Sequence, residues 1–324
     1  MIHYRHLTRE KRYMLFELLQ AGKSHRECAI AVGVSHSTIS RELRRNHNAE
    51  FGYRYDWADN QYQARRKKSR QEYVLTDGLK QDVIKHLECK WSPEQISGRL
   101  RRETRGSISH QTIYNWLARD RQAGGELYKL LRRKRRYSRH KTRETHIKAR
   151  RMIDERPAIV ESRERLGDWE LDTVASVTGD TTVVVTAEER RSRLLVASML
   201  PSRNAGRIAR RICRMMNSTH VPPLTLTSDN GTEFAGHQIV AKKIKTDFFF
   251  AQPHHPWERG TNENTNGLLR QYLPSGIALK GKAKRLSAAV KELNARPRKC
   301  LAFATPEEVF VQEMKKINSG ALEI

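Results

Sequence analysis

The pattern of apolar residues changes near residue 158, and this change requires more than one folding unit. Before it, apolar residues recur at helical spacing between helix starters and stoppers. After it come Val- and Thr-rich runs suited to strands. A chain of 324 residues has room for two or three domains. The reading divides it into 1–50, 51–128, a basic linker 129–158 and a final unit 159–324.

Thr8 starts a helix whose Tyr13, Leu15, Phe16, Leu18 and Leu19 are expected on one side, and Ala21-Gly22 stops it. Ser24 and Glu27 have capping-box spacing for a second helix, His25 to Val32, with Ala29-Ile30-Ala31 as a packing stretch. Gly33 supplies the positive φ of a tight turn, and Ser35 or Ser37 opens a third helix. Helix, glycine turn, helix is the helix-turn-helix pattern, whose second helix would present Ser37, Thr38, Arg41, Arg44 and Arg45 to DNA.

Residues 55 to 75 are polar and basic and read as helix and linker. Leu79, Val83, Ile84 and Leu87 then share one helix face, and Ser92-Pro93-Glu94-Gln95 begins another helix. Ser109 caps a third, with Ile113, Trp116 and Leu117 inward and His110, Gln111, Asn115 and Arg119 outward. The alternatives are a second helix-turn-helix unit and a purely structural bundle.

Lys and Arg number 62 against 36 Asp and Glu, a net charge of +26. A polyanion relieves such self-repulsion, and each phosphate neutralised releases a counterion. Twelve of the basic residues fall between 129 and 151, where Glu144 is the one acid. That run suits a phosphate backbone and specifies no sequence. Cys28, Cys89, Cys213 and Cys300 have no zinc-ligand spacing and read as thiols of a reducing compartment. No apolar run approaches the roughly 20 residues of a membrane span, and the first residues lack a signal-peptide pattern, so a cytoplasmic, nucleoid-associated protein is expected.

In the final unit, strands are expected at 168–177, 181–187, 194–200, 224–227 and 248–251, and helices at 204–217, 234–245, through Leu268-Leu269-Tyr272, around 286–294 and after Thr305. This order fits an α/β ribonuclease-H-like fold behind two all-α helix-turn-helix domains. Phosphodiester transfer needs charge neutralised around the attacked phosphorus, which carboxylates achieve by holding two Mg²⁺ ions. Carboxylates suited to this occur at Asp168, Glu170 and Asp172 on the first strand, at Asp229 before a glycine turn, and at Glu263 in a helix start. Asn266 and Arg270 lie three and seven positions beyond Glu263 on one helix face and are expected to contact the DNA end. His254 and His255 are candidates for the scissile strand, and Trp169 and Trp257 for packing.

Several stretches are similar to bacterial transposases of the insertion-sequence-thirty family, within the retroviral-integrase superfamily. They are Gly167-Asp-Trp-Glu-Leu-Asp172, Ser228-Asp-Asn-Gly-Thr-Glu-Phe234, Pro253-His-His-Pro-Trp-Glu-Arg-Gly-Thr-Asn-Glu-Asn-Thr-Asn-Gly267, Leu293-Asn-Ala-Arg-Pro-Arg298, Leu7-Thr-Arg-Glu-Lys11 and Ser37-Thr-Ile-Ser-Arg-Glu-Leu43. The resemblance implies an Asp-Asp-Glu triad of Asp172, Asp229 and Glu263, two Mg²⁺ ions with Mn²⁺ as an alternative, and double-stranded DNA partners, namely terminal inverted repeats and a target. It also implies a homodimer or higher oligomer on paired ends. The family pattern places its first aspartate at Asp172, and Asp168 is not carried over. A recombinase with a serine or tyrosine nucleophile lacks its companion cluster here. A repressor would not need the spaced carboxylates, and a nuclease of the same fold would lack end recognition.

Overall fold

The computed structural model describes residues 6–69, 75–104, 106, 108–132, 147–253 and 260–320. It forms two compact units, Met1–Thr76 and Asp77–Ile324. The boundary expected after residue 50 falls inside the first unit, and the helices after residue 77 belong to the same unit as the sheet.

The first unit holds α1 (Arg9–Gln20), α2 (His25–Val32), α3 (His36–Asn46), a short hairpin of β1 (His47–Asn48) and β2 (Gly52–Tyr53), and α4 (Tyr55–Ser69). Thr8 caps α1, Ser24 and Glu27 form a complete capping box on α2, and Ser35 caps α3. Gly33 has φ +67°, the left-handed turn expected between α2 and α3. Leu7, Leu15, Cys28, Ala29, Val32, Ile39, Tyr53 and Ala58 make the core. α4 packs on α1 because Arg12 is drawn inside, bonded to Glu42 of α3 at 2.8 Å and Asp59 of α4 at 3.0 Å. Two expectations are corrected. Tyr13 stands 49% exposed, its place inside taken by Arg12, and Ile30 is 81% exposed, turned out by the helical phase that buries Ala29.

The second unit begins with α5 (Asp77–Glu88), α6 (Pro93–Arg102) and α7 (His110–Gln122). Val83, Leu87, Ile96, Leu100, Ile108, Ile113 and Leu117 form their core. After the short α8 (Ile159–Ser162) come β3 (Asp168–Ala175), β4 (Val183–Glu189), β5 (Leu195–Leu200), α9 (Ala205–Asn217), β6 (Thr225–Ser228), α10 (His237–Ile244), β7 (Asp247–Phe250), α11 (Gly260–Leu269), α12 (Ala283–Asn294) and α13 (Pro306–Gly320). The helix expected over 234–245 is divided: a 3-10 turn spans Thr232–Phe234, and α10 starts only at His237.

The sheet order is β5-β4-β3-β6-β7, with β3–β4–β5 antiparallel and β3–β6–β7 parallel. An antiparallel meander continued by parallel strands, with helices on both faces, is the ribonuclease-H-like layout. Trp169, Leu171 and Val185 face α9 and α10, whereas Val174 and Val184 face α11 and α12. Alternation along β3 thus puts Asp168, Glu170 and Asp172 on the α11 side. Thr305 and Glu308 cap α13 reciprocally, at 3.2 and 2.9 Å.

Candidate active site and nucleic-acid interface

β3 and β6 run parallel with Asp168 opposite Thr225 and Glu170 opposite Thr227. The chain leaves β6 at Ser228, so Asp229 lies just past a strand end. Asp229 Oδ1 accepts the Gly231 N–H at 3.0 Å, which fixes the turn. Asp172 lies within β3. Its Oδ1 accepts the Thr173 N–H at 2.7 Å, and its Oδ2 accepts Asn266 Nδ2 of α11 at 2.7 Å. Glu263 lies in the first turn of α11 and is exposed, one turn before Asn266.

The three same-face carboxylates of β3 differ in their partners. Asp168 accepts both Arg165 nitrogens, at 2.8 and 3.1 Å, and the Thr225 hydroxyl at 2.7 Å. Glu170 forms a buried ion pair with Arg190. Asp172 accepts the Thr173 backbone N–H and the Asn266 side-chain amide.

Deeper in the same layer, Glu188 of β4 faces Glu170 across the strands. Burial pushes its carboxyl up to about 8, against the opposing pull of Thr265 on α11. The late Leu293–Arg298 stretch supports this layer from below. Asn294 pairs with the Leu195 backbone N–H and C=O, both at 2.8 Å, while Arg296 is fully buried and donates to the Tyr272 hydroxyl at 2.6 Å.

Asp172, Asp229 and Glu263 offer carboxylate oxygens throughout, a hard donor set that fits Mg²⁺. Asn266 Oδ1, beside Asp172, is a buried oxygen with no hydrogen-bond partner. Among the described residues, however, no three His, Cys, Asp or Glu side chains are gathered closely enough to hold a metal ion.

Two groups beside Asp229 escaped the sequence reading. Glu233 accepts the Thr173 hydroxyl at 2.7 Å, and a Cβ built on Gly231 would lie between Glu233 and Asp229. Arg150 donates to the Asn230 side chain. The signal for Glu233 was its place in the Asp-Asn-Gly-Thr-Glu stretch; for Arg150 there was none, since it ends a run of similar basic residues. That run also ends structurally, because Arg151 pairs with Asp247 at 2.6 Å and its carbonyl accepts the Phe250 N–H. Its middle, 133–146, lies outside the described residues, as do His254, His255 and Trp257.

The expected DNA-facing residues divide likewise. Ser37, Arg41, Arg44 and Arg45 are exposed on α3, with Arg41 folded back on Ser37 at 3.0 and 3.1 Å. Thr38 is half-buried and its hydroxyl meets that of Ser35 at 2.8 Å. His110, Gln111, Asn115 and Arg119 are all exposed on α7, joined there by Tyr114, and Gln111 donates to Asn115 at 2.9 Å. Asn266 and Arg270 instead turn toward β3, Arg270 donating to the Ala175 carbonyl at 2.9 Å. Trp169 is fully buried.

The helices α5–α7 are tied to the rest of their unit. Arg99 makes a bidentate pair with Glu308 at 2.6 and 2.7 Å, Gln95 donates to the Pro297 carbonyl at 2.9 Å, and Lys299 pairs with Glu94 at 2.6 Å. Gly98 lies directly under the Phe303 ring, where a Cβ would come within 2.3 Å. No helix among the described residues is long and apolar enough to cross a membrane.

Residues 3–46 match the family model described as a helix-turn-helix domain. A solved structure, the catalytic core domain of BIV integrase, matches at 25% identity with a TM-score of 0.38, covering 47% of this chain and 98% of that one. Sequence relatives are far more extensive. The transposase for insertion sequence element IS4351 of Bacteroides fragilis is 39% identical, over 95% of this chain and 96% of its own length. Transposase InsI for insertion sequence element IS30A of Escherichia coli (strain K12) is 35% identical, over 94% of this chain and 83% of its own. The transposase for insertion sequence element IS1086 of Cupriavidus metallidurans is 37% identical, over 95% of both. With identity at this level from one end of the described fold to the other, the chain belongs to the IS30 family of insertion-sequence transposases.

Proposed function

We propose that the protein is a DNA transposase that binds the terminal inverted repeats of its insertion sequence and catalyses strand cleavage and strand transfer through Asp172, Asp229 and Glu263. The observation that carries this reading is the shared level of Asp172, within β3, and Asp229, just past the end of the adjoining parallel β6, with Glu263 on the helix that contacts Asp172. The two Mg²⁺ ions would be held by these three carboxylates and would supply charge neutralisation at the attacked phosphate and activation of the nucleophile.

The chain's own residues do the rest. Asn266 orients Asp172, and the Gly231 N–H orients Asp229. α3 and α7 read the repeat, each from an exposed polar face. The attachment of α7's bundle to residues 297–308 keeps the second reading helix at a fixed distance from the carboxylates, so the cut falls at a defined position. Pairing of two ends calls for at least a homodimer.

The test is strand transfer of a labelled element end with Mg²⁺, comparing the intact protein with Glu263→Gln. Transfer by the intact protein, and its loss in the variant with end binding retained, is the expected result. End binding without cleavage by either protein would leave a repressor-like binding protein in place of an enzyme.

A further inference from the structure

The outer surface of α9 and α10 is basic and has no role in the proposed site. Arg207, Arg210 and Arg214 recur along the exposed side of α9, Arg203 precedes its Asn204 cap, and Lys242 and Lys243 are exposed on α10. Neither helix carries an acidic residue. The inner side of α9, with Ile208, Ala209, Ile212, Cys213, Met215 and Met216, is buried against the sheet. The helix is therefore split cleanly into a core face and a cationic face about 20 Å long.

Its position gives that face a meaning. β5 runs in the same direction as β3, and Leu200 stands level with Val183 and hence with Ala175. α9 therefore starts at the end of the sheet where Asp172 and Asp229 lie. The loop after Asp229 presses on the first turns of α9: a Cβ on Gly236 would come within 2.9 Å of Ala209 and 3.1 Å of the Ala205 carbonyl. The cationic track thus leads away from the carboxylates.

It also lies on the other face of the sheet from the second reading helix. α9 and α10 cover the face of Trp169 and Leu171, and α11 and α12 cover that of Val174 and Val184. The α5–α7 bundle joins the latter side, where Lys90 stacks 3.8 Å over Tyr272. Strand transfer requires a second duplex at the same carboxylates, besides the one that α7 would read.

We propose that the outer face of α9 and α10 holds this second duplex, the target, by its phosphate backbone and without reading sequence. The cations Arg203, Arg207, Arg210, Arg214, Lys242 and Lys243 outnumber the exposed Asn217, Gln238 and Ile239 of these helices, and guanidinium and ammonium groups in a row suit backbone contact. The inference rests on the strand-transfer reading for the identity of the duplex, but not for its binding.

The experiment compares the full chain with Arg207→Gln/Arg210→Gln/Arg214→Gln, and with the corresponding triple Lys variant as a fold and charge control. The first readout is affinity for a random-sequence duplex across a salt series. The Gln variant should lower the log–log slope by up to about 2.7, or 0.9 per lost contact, and the Lys variant should keep it. The second readout is the target concentration giving half-maximal strand transfer, which should rise at least tenfold in the Gln variant while end cleavage stays unchanged. An unchanged salt slope would overturn the proposal. A lowered slope with end cleavage lost and target requirement unaltered would overturn the assignment to target DNA. Absence of cleavage by the unaltered protein would count against the proposed function, while the salt slope would still decide whether the face binds DNA.

Discussion

Asp172 and Asp229 stand 57 positions apart, and 57 is also the parallel register of β3 on β6, in which Asp168, Trp169 and Glu170 face Thr225, Leu226 and Thr227. The two carboxylates therefore continue one ladder past its last pair, and nothing but this register brings them to one level. Asn266 locks the arrangement from above by its 2.7 Å bond to Asp172. Asn266→Ala should lower strand transfer at least tenfold, since loss of orientation at reacting groups is costly. Its affinity for the element end should stay within about twofold. If end affinity falls in step with transfer, Asn266 contacts DNA, as its helix position alone suggested.

Glu188 makes the sheet sensitive to alkali. Its folded-state value of about 8 lies above its ordinary 4.5, because burial beside Glu170 disfavours the carboxylate more than Thr265, Arg193 and Arg298 favour it. Between those values the folded chain binds the extra proton, so this group's contribution to stability is full below about pH 4.5 and is lost as pH rises through about 8. Glu188→Gln should remove that slope, so thermal melts of the two proteins should diverge in the variant's favour from about pH 4.5 to about pH 8 and keep a constant gap above it. Parallel melting curves across the whole range would mean that Glu188 stays ionised.

How much of this was legible depended on whether a signal was local. Thr8, Ser24 with Glu27, Gly33 and Ser92 with Gln95 act within a few residues, and each cap formed as its spacing implied. The strands of the sheet were readable from their Val- and Thr-rich runs. Arg12, by contrast, shows its role only when Glu42 and Asp59, 30 and 47 positions away, fold around it. The same holds for α4: composition read 55–75 as helix and linker, and packing made the helix part of the first unit. Around the carboxylates, the sequence motif nominated Asp172, Asp229 and Glu263, and neither Asn266's bond to Asp172 nor Arg150's to Asn230 follows from spacing.

The buried Arg12 should govern the stability of the first unit. It is 2% exposed and compensates two carboxylates at once. Arg12→Ala leaves Glu42 and Asp59 facing each other without a cation, a change that costs about 3–5 kcal/mol in buried pairs. Denaturant unfolding of the isolated Met1–Thr76 unit should show a loss of that order, and replacing Glu42 with Gln in the same chain should recover part of it. A loss below about 1 kcal/mol would place the network at the level of a solvated surface pair.

If α3 and α7 both read bases, the footprint on each terminal repeat should fall into two blocks. Deleting the whole first unit, Met1–Thr76, should erase one block and leave the other. Within the surviving block, Gln111→Ala and Asn115→Ala should each reduce discrimination by about 1–3 kcal/mol at one base step. Arg99→Ala together with Glu308→Ala should act differently, because these residues tether the α7 bundle and touch no DNA in this scheme. Their loss should leave base discrimination intact but scatter the cleavage position over neighbouring phosphates, since the reading helix would no longer sit at a set distance from Asp172. Single-nucleotide mapping of cut ends separates the outcomes. Uniform cuts from the tether variant would mean that the contacts of Gln95, Lys299 and Gly98 suffice to hold the bundle, and cleavage scattered by Gly98→Ala, whose new methyl group has no room beneath Phe303, would then identify packing as the tether.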